Sequence, residues 1–323
     1  MQSDRAAVFS CMRNEGPFIM EWVAYHRAIG FDTIAVATNN CTDGSDRMLD
    51  RLAELGHVIH IDNQLEQGEA PQRAGLRRAL AHPDIGTCAW LLHIDADEFL
   101  NVTAGEGFVS DLLAVSEDAE AIAILWRSFG HNGLGYWNGG SVLNAFTRAQ
   151  GRPMKRSIAH KTMFRPDRFG SAIDHMPKEP VSDNPVLINT AGEHVYNRAL
   201  RNPSRARYRM GFEACTWENA NINHYAIKSQ DIFLMKNDRG DGMAATRNKY
   251  FLNSVFYFRH NRNDVEEKGI LRHWPATEAI LNEMRSDPEL VELEKAALDA
   301  YRTRRDQVLT PERILEWSLP PRK

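Results

Sequence analysis

Trp90-Leu91-Leu92-His93-Ile94-Asp95-Ala96-Asp97-Glu98-Phe99-Leu100 is the stretch around which the chain is organised. A continuous apolar run stops abruptly at three carboxylates in four residues. Ala89 to Ile94 reads as a strand buried on both faces, suited to the middle of a parallel sheet. Residues two apart on an extended backbone point the same way, so Asp95 and Asp97 are expected side by side. Two such carboxylates repel unless a cation sits between them. A hard divalent ion, Mn²⁺ or Mg²⁺, is the natural neutraliser and keeps sites open for water and substrate phosphates. In open α/β sheets ligands gather at the carboxyl ends of strands, where this cluster falls. The plainer alternative is an acidic strand-to-loop turn with no ion.

Toward the N-terminus, strand and helix alternate. Ala6 to Cys11 is a short apolar run. Pro17 marks a helix start and Gly30 its end, with Phe18, Trp22, Tyr25 and Ile29 on one face. Thr33 to Ala37 is a second strand. Ser45 is placed to cap a helix that carries Met48, Leu49 and Leu52 and stops at Gly56. Val58 to Ile61 is a third strand, and Glu69 to Leu80 a helix bearing Arg73 and Arg77. Repeated β-α units of this kind predict an α/β fold with a doubly wound, mostly parallel sheet flanked by helices. No G-x-G-x-x-G follows the first strand, so the dinucleotide fingerprint is absent. Arg13-Asn14-Glu15 stands there instead, suited to a ribose or base, or simply to helix entry. Asn40, Asp43 and Asp46 pose the same choice, because Asn, Asp and Gly also make loops for backbone reasons.

The chain has 323 residues, enough for one large domain or two small ones. Its net charge of −4 gives no global field for nucleic acid. Cys11, Cys41, Cys88 and Cys215 are scattered without a C-x-x-C pair, which argues against a zinc ribbon or disulfide framework and fits a reducing compartment. No apolar run is long enough to span a membrane. The first strand begins almost at once, so no signal peptide is expected and a cytoplasmic location follows.

Several spaced motifs now agree in order: Met12-Arg13-Asn14-Glu15, Glu21-Trp22 with Tyr25-His26, Gly30-Phe31-Asp32, Asn40 with Asp43-Gly44-Ser45-Asp46, and Ile94 to Phe99. Together they resemble the family-2-type glycosyltransferases, and among these the subgroup related to the family 92 galactosyltransferases. The resemblance covers residues 6 to 101 and continues more weakly to about residue 240. It implies a GT-A fold, with residues 1–101 as a nucleotide-binding half and 102–240 as an acceptor half; the patterning of residues 241–323 reads as a mainly helical extension. It implies transfer of a hexose from a nucleotide diphosphate donor, expected to be a UDP-sugar, to an acceptor hydroxyl with inversion. Asp95 and Asp97 match the D-x-D that holds Mn²⁺ or Mg²⁺ on the donor diphosphate. Glu15, Asp46 and Asn40 match positions near the nucleoside, and Arg73 is grouped with them in donor binding. The acceptor is left open among a glycan, a lipid-linked sugar and a small molecule.

In the second half, Ala121 to Trp126 is expected to add to the same sheet. It opens onto Arg127 to Gly140, a loop rich in glycine, aromatics and amides that suits a sugar pocket or a plain surface loop. No Asp or Glu occurs from 121 through 166. The base an inverting transfer needs must therefore be Glu98 or His131, or come from Asp174, Glu179, Asp183 or Glu193; Asp174 is the first choice. Lys161 and Arg165 are candidates to steady phosphates. Gly192 to Tyr196 reads as a further strand. Asn223-His224-Tyr225, Lys228-Ser229, Lys236 and Arg239 resemble a late family 92 segment. A late His joins the D-x-D at the metal in many GT-A enzymes, so His224 is expected to supply it a nitrogen, and Lys228 is a candidate to meet a diphosphate oxygen as a point charge. Arg198, Arg201, Arg205, Arg207 and Arg209 make a basic run open to peripheral membrane contact or to plain solvation. Helical patterning from Thr277 to Val308, broken at Pro288, and a last helix from Thr310 complete the chain. Two other readings of the acidic cluster are a metal-dependent phosphohydrolase or nucleotidyltransferase, and a non-catalytic module that binds a glycan or nucleotide.

Overall fold

A computed structural model describes residues 5–116, 118–154, 159–195, 198–203, 205, 214–239 and 250–319. Tyr196, Arg207 and Arg209, singled out above, lie outside the described residues. The strands are β1 (Ala6–Met12), β2 (Thr33–Thr38), β3 (Ile59–Asp62), β4 (Trp90–His93), β5 (Glu98–Val102), β6 (Ala121–Ser128), β7 (Arg148–Ala149), β8 (His160–Phe164), β9 (Phe169–Ile173), β10 (Met176–Pro180), β11 (Leu187–Asn189), β12 (Ala220–His224) and β13 (Val265–Glu266). The helices are α1 (Gly16–Ala28), α2 (Ser45–Glu54), α3 (Pro71–Ala81), α4 (Pro83–Gly86), α5 (Val109–Ala114), α6 (Val142–Ala145), α7 (Arg198–Arg201), α8 (Gln230–Arg239), α9 (Val255–His260), α10 (Trp274–Met284), α11 (Pro288–Val308) and α12 (Pro311–Ser318).

One sheet runs in the order β3-β2-β1-β4-β8-β6-β12-β5, with β11 joining β6 beside β12. Its first four strands are mutually parallel. β8 is antiparallel to both its neighbours, and β5 is antiparallel to β12. The α/β class, the mostly parallel sheet and the helical C-terminal part agree with expectation. Side chains alternate between two cores. Val8, Leu92, Ile122 and Ile124 pack on one face with α1, while Ala7, Phe9, Leu91 and Ala123 pack on the other with α3.

α1 differs from the one-faced helix expected. Phe18, Ile19, Met20, Trp22, Val23 and Tyr25 are all buried, because α10 and α11 cover the side of α1 turned away from the sheet. Its polar tips are used as well. Trp22 Nε1 donates to Glu98 O at 3.0 Å and Tyr25 Oη to Leu100 O at 2.7 Å. These bonds satisfy carbonyls of β5, the last strand in the sheet order, which would otherwise stand open. Glu21 accepts from Ser141 Oγ and from the amides of Val142 and Leu143, anchoring the start of α6.

Ser45 does not cap α2. The helix begins at Ser45 after Gly44 at φ +84°, and the Ser45 hydroxyl accepts from the Glu15 amide and donates to Asp43 Oδ1. The other Asp43 oxygen accepts from the Gly16 amide, so one aspartate ties together the starts of α1 and α2. Gly192 to Val195 makes only an isolated bridge, Ile188 to His194, in place of the strand expected there, and His194 is exposed.

Candidate active site

β4 ends at His93 and the backbone turns: the Glu98 amide donates to Asp95 O at 3.0 Å. The extended geometry expected through Asp97 is therefore absent, and the two aspartates meet different partners. Asp95 Oδ1 accepts from Gln72 Nε2 at 2.9 Å, and Oδ2 from Lys161 Nζ at 3.1 Å. Asp97 Oδ2 accepts from Lys236 Nζ at 2.7 Å, while Oδ1 faces His224 Nε2 at 3.7 Å. Sheet register explains the second set: β12 places His224 opposite Glu98, and the Tyr225 amide donates to Asp97 O at 2.8 Å.

Lys161 is fully buried among acids. Its ammonium lies 3.1 Å from Asp95, 3.0 Å from Asp174 and 3.5 Å from Glu98. It is therefore committed to these carboxylates and does not serve as the phosphate contact expected of it. Arg165 likewise lies over the Trp90 ring. Burial pushes the Asp174 carboxyl up, but Lys161 and His175 outweigh it and hold it well below the usual range. Burial, with Asp174 and Asp97 close by, raises Asp95 to about 6 against the pull of Lys161. Glu98 is raised well above its ordinary value by burial. Its Oε2 accepts from the Asp95 amide at 2.9 Å, and its Oε1 is buried without a hydrogen-bond partner.

Among the described residues, two sets of donors come close enough to hold a cation. His93, Asp95 and Asp174 bring ligand atoms within 4.8 Å of one another, but the Lys161 ammonium already stands between the two acids. Asp97 and His224 form the other set. Their 3.7 Å separation is too long for a hydrogen bond and leaves room for a shared ion. Burial lowers His224 well below its ordinary value, so its imidazole is neutral, as a ligand must be. For Asp97, burial raises the carboxyl, but the Lys236 and Lys228 ammoniums prevail and keep it ionised. An oxygen and a neutral imidazole nitrogen suit Mn²⁺, so this pair fits the ion.

Beside Lys236 opens a cavity of about 190 Å³ at the carboxyl ends of β1 and β2. Asn14, Glu15, Thr42 and Asp43 form its polar side, while Pro17, Phe18, Ile232 and Met235 form an apolar side. Lys228 and Lys236 reach it from the β12–α8 segment, and Tyr301 and Arg304 from α11. Lys228 is 2% exposed and held at φ +52°, with its ammonium 4.2 Å above the Phe18 ring. Burial lowers its amine to about 8, against the pull of Asp97.

Of the expected donor contacts, Glu15 and Lys228 line this cavity, whereas Asn40, Asp46 and Arg73 do not. Asn40 is an exposed loop residue at φ +49°, and Asp46 Oδ1 accepts from the Arg47 amide of its own helix. Arg73 is exposed on α3, where its neighbour Gln72 is the residue that reaches Asp95. Asp174 is brought to Asp95 by Lys161. His131 stays in its own loop, accepting from the Gly133 amide and stacking on Tyr257. Trp137, from the same loop, is buried against Phe18. Gln72, Thr42, Tyr301 and Arg304 carried no motif. No helix among the described residues is long and apolar enough to cross a membrane.

The model of Glycosyltransferase family 92 matches residues 8–238. A glycosyltransferase family 92 protein of Ricinus communis is 26% identical over 169 residues, 51% of this chain and 29% of that protein. One of Oryza sativa subsp. japonica is 24% identical over 242 residues, 74% of this chain and 35% of that protein. The chain thus spans about a third of the length of these relatives. Among solved structures, S. aureus TarS has a TM-score of 0.33 at 16% identity, covering 50% of this chain and 28% of that one. A Pyrobaculum calidifontis mannosyltransferase in complex with GDP-Man and Mn²⁺ has a TM-score of 0.32 at 14% identity, covering 98% and 83%. Similarity this low does not bear on the site.

Proposed function

Because the chain belongs to glycosyltransferase family 92, we propose that it is a GT-A glycosyltransferase that moves a sugar from a nucleotide diphosphate donor, a UDP-sugar, to an acceptor hydroxyl. The observation that carries this reading is the cavity lined by two buried lysines, of which Lys236 is bonded to Asp97. A buried cation is attractive to a diphosphate because little water screens it. In this reading residues 1–101 contribute the nucleoside side through Asn14 and Glu15. Residues 102–240 contribute Lys228 and Lys236, which stabilise the negative charge that develops on the leaving diphosphate. Beyond them, residues 250–319 contribute the helices α9 to α12.

Asp97 and His224 are the residues that would hold Mn²⁺, which when bound supplies further electrostatic stabilisation of the diphosphate. Lys236 keeps Asp97 ionised and ready for that role. Asp95 serves indirectly, fixed by Gln72 and Lys161. Of the base candidates, Asp174, the first choice, is the ionised acid beside Asp95 and is assigned to the acceptor hydroxyl, with inversion at the anomeric carbon. Glu98 is sealed beneath the turn, and His131 lies in a separate loop.

The test is product analysis with a panel of UDP- and GDP-sugars, with and without Mn²⁺, reading the anomeric configuration by NMR. Asp97→Asn should fold and lower turnover by about 10²–10³-fold, the usual cost of removing one electrostatic contact from a site of this kind. Near-wild-type turnover in that variant would remove Asp97 from the mechanism. Release of phosphate without sugar transfer would replace the reading by a phosphohydrolase.

A further inference from the structure

The family match ends at Asp238, yet the donor cavity has a wall beyond it. Arg304 on α11, 66 residues further on, lines the same cavity and donates to Asp238 through Nε at 2.9 Å and Nη2 at 2.7 Å. α11 is held firmly in that place. A Cβ added at Gly16 would stand 2.6 Å from that of Ala297, so α1 and α11 touch backbone to side chain. Asp231, buried near the start of α8, accepts from Tyr301 Oη at 3.1 Å and lies 3.3 Å from Arg305 Nη1. One acid therefore sets α11 against the helix that carries Lys236.

Arg304 differs from the other cavity cations in its exposure. Lys236 is committed to Asp97 and Ala226 O, and Lys228 is enclosed. Arg304 has a side chain 58% exposed, and its partner Asp238 is itself partly exposed. The pair is bidentate yet open to water, so an incoming diphosphate can compete with Asp238 for the guanidinium. A guanidinium fork also matches two phosphate oxygens at once, which an ammonium does not.

We propose that Arg304 is a donor-binding residue: its guanidinium leaves Asp238 to grip the diphosphate together with Lys228, making the C-terminal helix part of the donor site. The proposal rests on the reading of this cavity as the donor pocket. Titration calorimetry of UDP, GDP and the nucleosides uridine and guanosine into the full chain tests it. Arg304→Ala should weaken binding of the nucleoside diphosphate by about tenfold, the effect of losing one charge-assisted contact, and leave nucleoside binding and melting temperature unchanged. Arg304→Lys should recover part of the loss. If wild type binds UDP or GDP and Arg304→Ala binds it equally well, the proposal falls alone. If nucleoside binding weakens in parallel and the melting temperature drops, Arg304 is structural and the proposal also falls. If wild type binds neither diphosphate, the donor reading falls and takes this proposal with it.

Discussion

Lys161 decides what the acidic stretch can be. Three acids surround one fully buried ammonium, and its contacts with Asp95 and Asp174 above all offset the desolvation cost of that group. Lys161→Met should therefore destabilise the fold by about 3–5 kcal/mol, read as a shift of the urea midpoint; a shift under about 1 kcal/mol would mean that the acids accept protons at little cost. Lys228 makes the complementary case, a cation with no carboxylate hydrogen-bonded to it among the described residues. Burial lowers its amine to about 8, and only the ammonium attracts a diphosphate. The sign follows: affinity for UDP or GDP is full well below pH 8 and declines as pH rises through 8. Between pH 7 and 9 the dissociation constant should increase by up to roughly tenfold, and Lys228→Arg should flatten the profile because arginine stays charged. The aspartates were legible in the sequence because they interrupt an apolar run. Their pairing with Lys161 and Lys236 was not, since these lysines lie 66 and 139 residues from the acids they meet and burial leaves no mark on a lysine in the sequence.

At the scale of elements, the β-α alternation of the first hundred residues was readable because apolar periodicity, Pro17 and Gly30 are local signals. What each motif cluster does was not local. Trp22 and Tyr25 fasten α1 to β5, Glu21 fastens α6, and Asp43 joins two helix starts, so much of the motif pattern that marked the chain serves to hold the sheet's far edge and the cavity rim. The same holds for α1, whose second buried face made sense only once α10 and α11 were found against it. Gly16 is the contact point of that packing. Gly16→Ala forces its new methyl against Ala297, which belongs to a helix and cannot swing aside. Overpacking of this kind costs about 1–3 kcal/mol. Because α11 walls the cavity, the same variant should also weaken nucleoside diphosphate binding. Calorimetric titration and a melting curve on one preparation check both effects; lower stability with unchanged affinity would show that α11 can shift without disturbing the cavity.

For the molecule as a whole, the question is whether the C-terminal helices form a separate unit. Leu281, Met284, Leu290, Leu293 and Ala297 belong to the same buried cluster as Val8, Trp22, Leu92, Phe99 and Ile222, so the extension and the sheet share one core. Arg51 of α2 also pairs with Asp287 at 2.6 Å, 236 residues along the chain. Removing α10 or α11 would expose that core, and unfolding the sheet would strip the helices of the surface they cover. The two should therefore melt together, in one transition with coincident far-ultraviolet and tryptophan signals. A ligand that binds only the folded state raises that transition: at a hundred times its dissociation constant it adds about 2.7 kcal/mol. For a chain of this size, the usual unfolding entropy per residue converts that gain to roughly 4 °C. UDP or GDP should thus move the whole transition upward, seen equally by both signals. Were calorimetry to resolve two transitions with the nucleotide shifting only one, the helices would be an independent unit, and the cavity wall formed by α11 could not be integral to donor binding.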